Sequence, residues 1–61
     1  MPKFEDNRRK IVGRLENEGW VNIGGGEHDL FSKDGKIIAV PRHRTISQGV
    51  ARSIFKAAGW R

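Results

Sequence analysis

What most constrains this chain is an absence: it has 61 residues and no cysteine. A chain so short buries only about 60% of the surface its unfolded form exposes, so its stability is marginal. With no thiol and two histidines, it has neither a disulfide nor the ligand set of a structural zinc to help. It is therefore expected to form a single domain over residues 1–61, with one small apolar core. A tight partner protein would add stability by mass action.

The positions of the apolar residues say what that core is built from. Ile11, Val12 and Leu15 fall on one helical stripe within a first helix over 6–18, with Asp6 or Asn7 to cap it and Gly19 just past its end. Gly13 inside it either weakens the helix or lets a neighbour pack close. Residues 20–23 are rich in strand formers, and Gly24, Gly25 and Gly26 then interrupt the chain. Residues 27–33 read as a second strand, and Asp34-Gly35 as a two-residue hairpin turn. The returning strand over 36–40 has β-branched Ile37, Ile38 and Val40 and is ended by Pro41. Ser47 caps a second helix, Gln48–Ala58, whose Val50, Ala51, Ile54, Phe55 and Ala58 share one face, and Gly59 closes it. The order α-β-β-β-α predicts an α+β fold with two helices on one face of a three-stranded antiparallel sheet. Trp20 and Trp60 each follow a helix-ending glycine and are read as packing over helix ends. Phe4, Phe31 and Phe55 are read as core or partner contacts.

Charge is distributed less evenly. Of a formal net +5, residues 1–19 carry five Lys or Arg against four acids, residues 20–35 one against three, and residues 36–61 six against none. The last segment reads as a surface for an anionic partner, nucleic acid foremost. Its plainer reading is a solubilising excess. Lys3, Arg8, Arg9 and Lys10 have Glu5, Asp6 and Glu16 for company and read as a solvated face. No apolar run approaches the roughly 18 residues of a membrane span. The N-terminal MPKFEDNRRK leads into no apolar stretch of signal-peptide type. The expected location is the cytoplasm, with no membrane partner. No acidic or Cys/His cluster has ligand spacing, so no metal and no cofactor are expected.

Five pieces recur in order: GW at 19–20, GEHDLF at 26–31, DGK at 34–36, VPRH at 40–43 and GVARSIFKAAG at 49–59. Together they resemble the HicA family, mRNA interferase toxins of HicA–HicB type II toxin–antitoxin systems, over nearly the whole chain. The resemblance implies a fold like the double-stranded-RNA-binding domain. It implies an endoribonuclease acting on mRNA to cause growth arrest, and a HicB-type antitoxin that binds the toxin and blocks its site. It also implies that His28 is catalytic, matching the histidine of the family's G-S-H segment, with Gly26 as the glycine. Glu27 departs from that pattern, standing where the family usually has Ser. A carboxylate there would repel phosphate, although strand alternation is expected to turn it away from His28.

Metal-free RNA cleavage needs a base for the 2′-OH, an acid for the departing 5′-oxygen and positive charge for the crowded phosphate. Histidine can be acid or base near neutral pH. His28 would share a strand face with Leu30 and Ser32, and the glycines before it permit close approach. Its structural reading is a half-buried histidine packed at a strand end. His43, between Arg42 and Arg44, is a second candidate, read first as a loop residue. Arg42, Arg44, Arg52 and Lys56 form the RNA-phosphate set, joined by Gly26 and by the free N–H groups at the start of the second helix, where Gly49 leaves room. Arg52 and Lys56 could instead simply solvate that helix. The alternative function is a small RNA-binding module that does not cleave.

Overall fold

A computed structural model of the protein describes residues 3–60, so Met1, Pro2 and Arg61 of the expected domain lie outside the described residues. Its elements are α1 (Arg8–Asn17), β1 (Val21–Gly24), β2 (His28–Lys33), β3 (Lys36–Pro41) and α2 (Gln48–Ala58). This is the predicted α+β order, in the arrangement of the double-stranded-RNA-binding domain.

Local chemistry explains the boundaries. The Asn7 side chain accepts from the Lys10 N–H, so of the two candidate caps Asn7 starts α1. Ser47 does the same for α2 through the Val50 N–H, and Gly59 ends that helix in the left-handed region. Asp34 and Gly35 both have positive φ, 50° and 79°, the geometry of a two-residue hairpin turn matched to the twist of the flanking strands. Gly13 has nothing within 4 Å of where a Cβ would stand, so close packing is not its purpose. Pro41 is the last residue of β3 rather than the residue beyond it. Its missing N–H is tolerated because β3 is an edge strand.

The sheet is antiparallel in the order β1-β2-β3. Phe31 pairs with Ile38 and Asp29 with Val40, so these residues share the face that meets the helices. Phe31, Ile38 and Val40 are buried there with Ile11 and Leu15 of α1, with Ala51, Ile54 and Phe55 of α2, and with Ile46. Full burial of a side chain such as Phe31 contributes about 1.5–3 kcal/mol. Ser32 pairs with both Val21 and Ile37, and these two hydrophobics are 61% and 52% exposed, so among the described residues no layer covers the opposite face.

Both tryptophans are buried, as their positions after helix ends predict. Trp60 packs edge-on against Phe55, lies under the Arg14 guanidinium, and donates its indole N–H to Glu18 at 2.7 Å. That hydrogen bond, opposed by desolvation and assisted by Arg14 and Lys33, holds the Glu18 carboxyl below the usual carboxylate range. The contact joins the ends of the two helices.

Candidate functional site

His28 is the first residue of β2, and its cross-strand partner is Pro41. Counting back from the buried Phe31, His28 falls on the open face with Leu30 and Ser32, as the sequence indicates. Its side chain is exposed rather than packed at the strand end. The strand-end packing reading therefore does not describe it.

The path into His28 is set by the glycine turn. Gly25 has φ +148°, and a Cβ on it would stand 2.3 Å from the His28 carbonyl oxygen and 3.1 Å from Leu30 Cγ. Only glycine fits there. Gly26, the glycine singled out from the sequence, has open space where its Cβ would be. The steric need is thus one position earlier, and Gly26 leaves room for a ligand. The second strand, expected from residue 27, starts at His28 and leaves Glu27 exposed in a bend. Strand alternation therefore does not govern Glu27, and the reason for expecting it to point away from His28 is lost.

Asp29 faces the opposite side, toward the helices, and its side chain is 15% exposed. It is the centre of an ion cluster. Oδ2 pairs with Arg8 Nη2, while Arg8 Nε donates to the Pro41 carbonyl at 2.9 Å. Oδ1 accepts from Arg42 Nε at 3.1 Å and Nη2 at 3.0 Å, and that same Nη2 donates to the Gly25 carbonyl at 3.2 Å. One carboxylate so ties the start of α1, the end of β3 and the glycine turn to the residue following His28. Sequence reasoning missed Asp29 and placed Arg8 on a solvated face. The signal was readable: Asp29 stands two positions before Phe31, and an acid on a core-facing side calls for a cation.

The cationic candidates fall into two groups. Arg42 and Arg44 line a cleft of about 510 Å³ together with Asn7, Arg8 and Arg9. Arg52 and Lys56 are exposed on α2, and Lys56 also lines a cleft of about 240 Å³ with Lys33, Lys36 and Trp20. Lys33 and Lys36 flank the hairpin turn, at the far end of β2 from His28. Gly49 has open space where its Cβ would be, in the first turn of α2. His43 is exposed in the loop and is not part of the wall of the arginine cleft. Among the described residues no three His, Cys, Asp or Glu are grouped to hold a metal ion, and no helix is long and apolar enough to cross a membrane.

An exposed histidine can exchange a proton with a phosphodiester, and arginines can hold its oxygens. A family model described as the HicA toxin of bacterial toxin-antitoxin matches residues 8–60, which takes in every element and every candidate residue named above. No curated protein and no solved structure gave a match.

Proposed function

Because this chain belongs to the HicA toxin family, we propose that it is the toxin of a toxin–antitoxin pair and acts in the cytoplasm as a metal-independent endoribonuclease on mRNA, with His28 as its catalytic residue. The observation that carries the reading is the placement of His28: exposed at the first residue of β2, behind a turn only glycine can make, and next to the acid that gathers Arg8 and Arg42. In the reaction the 2′-oxygen attacks the adjacent phosphorus and loses its proton to a base. The bond from phosphorus to the 5′-oxygen breaks, and that oxygen receives a proton from an acid. The products are a 2′,3′-cyclic phosphate and a 5′-hydroxyl. His28 holds or delivers one of these protons. Arg44 and the remaining donors of Arg42 supply positive charge along the RNA backbone, and Gly26 leaves room for the chain. Arg52 and Lys56 extend the cationic surface along α2. A HicB-type antitoxin would bind the toxin and cover the approach to His28.

The test is RNA integrity after incubation with purified protein in EDTA. Cleavage is expected to persist, because among the described residues neither a cluster of acids nor a Cys/His set supplies ligands for a metal. Loss of all cleavage in chelator, restored by magnesium, would overturn the metal-free mechanism. One feature favours the second reading, an RNA-binding module without catalysis: Glu27 brings a carboxylate next to His28, where it opposes a phosphate. In that case RNA would bind and remain whole with or without magnesium.

A further inference from the structure

We propose that Arg9 and Arg44 form a seat for an RNA backbone phosphate, in a cleft whose walls are held in place by the ion cluster on Asp29. The proposal rests on the reading of the protein as one that acts on RNA, and it adds Arg9, at the start of α1, to a binding surface to which the basic C-terminal segment supplies Arg44.

Four arginines line this one cleft, and Asp29 divides them by role. Arg8 and Arg42 are both paired with its carboxylate, and each also donates to a main-chain carbonyl, of Pro41 and Gly25 respectively. Their planar forks are spent largely on the protein itself. Arg9 and Arg44 are exposed and enter no ion pair among the described residues. The nearby Glu5 does not serve them: one of its oxygens lies 4.0 Å from Lys10 Nζ and the other accepts the Asn7 N–H. Four guanidinium groups line the cleft, and the one carboxylate paired with any of them among the described residues, Asp29, is taken by Arg8 and Arg42. A surface like that repels itself until an anion enters, and the fork of Arg matches phosphate oxygens.

The backbone beneath the two free arginines is fixed. Arg8 N–H donates to the Arg44 carbonyl at 3.1 Å, Ile46 N–H to the Asp6 carbonyl at 2.8 Å, and Asn7 and Thr45 form an isolated antiparallel bridge. Arg9 and Arg44 thus stand on two segments locked to each other. Arg42 belongs both to this cleft and to the turn that positions His28. An RNA strand that fills the seat while its scissile phosphate lies at His28 must extend beyond the two nucleotides being separated.

The experiment is titration of a single-stranded RNA with wild type, the double variant Arg9→Ala/Arg44→Ala, the double variant Arg9→Lys/Arg44→Lys and His28→Ala, each over a range of salt concentrations, with cleavage followed in parallel. The alanine pair is expected to weaken RNA binding by about tenfold or more. It should also flatten the dependence of log K on log salt by about 0.7 for each phosphate that is no longer neutralised. The lysine pair should recover most of the salt slope, since charge is kept. In cleavage the loss should fall on KM more than on kcat. The fold should survive, because the bond that Arg44 contributes here is through its main-chain oxygen. If the folded alanine pair binds RNA with wild-type affinity and slope while His28→Ala loses cleavage, the seat is wrong and the nuclease reading stands. If the alanine pair loses binding but wild type cleaves nothing, the seat stands and the nuclease reading falls.

Discussion

Replacing His28 with alanine is expected to slow RNA cleavage by about 10²–10⁴-fold, the usual contribution of a positioned acid or base. Growth inhibition should be lost with it. The reason to expect so clean an effect is structural. His28 is exposed and outside the apolar cluster that holds the domain together, so its removal takes no volume from the core. Melting temperature, RNA affinity and antitoxin binding should stay close to wild type. His43→Ala should cost much less, since that residue is exposed in a loop rather than fixed at the start of a strand. Circular dichroism of each variant separates loss of chemistry from loss of fold. A folded His28→Ala protein that cleaves at the wild-type rate would remove His28 from the mechanism.

The second large effect is expected at Gly25. An alanine there would place a methyl group 2.3 Å from the His28 carbonyl, on a backbone with φ +148°. Something must move, and the groups in the way are main chain on one side and Leu30 on the other. Conformations of this kind cost a non-glycine residue about 1–3 kcal/mol, a serious fraction of the stability of so small a domain. A displacement near 1 Å at a catalytic group can cost about 10²-fold in rate. Gly25→Ala is therefore expected to melt at lower temperature and to cleave about 10²-fold more slowly. Gly26→Ala is the comparison: its Cβ meets nothing within 4 Å, so the fold should be unaffected and any loss should appear as weaker RNA binding. Equal melting temperatures for wild type and Gly25→Ala would show that the turn can relax without harm.

The fold is largely readable from the sequence because its signals are local. Ser47 and Gly59 bracket α2, and the structure places that helix at the predicted residues Gln48–Ala58. Asp34-Gly35 turns the chain where expected, and a chain alternating around Phe31 could only set His28 on the open face. Where a strand boundary differs by a residue, the cause is equally local: Pro41 extends an edge strand that needs no N–H, and β2 starts at His28 because Glu27 belongs to the glycine turn. What the sequence does not yield is the set of contacts between distant segments. Arg8, Gly25, Asp29 and Arg42 come from four separate stretches, and composition counts Arg8 only as one more cation near acids. The same holds for the glycines: Gly24, Gly25 and Gly26 are identical in sequence, and only the approach of the His28 carbonyl distinguishes the middle one.

The most direct test of the mechanism compares one sequence made twice, as RNA and as DNA, each incubated with the purified protein in EDTA and assayed for the ends produced. A mechanism in which a 2′-oxygen is the nucleophile predicts fragments of the RNA ending in a 2′,3′-cyclic phosphate and a 5′-hydroxyl, and an intact DNA strand. RNA left whole by the folded protein, or DNA cut as readily as RNA, would contradict it.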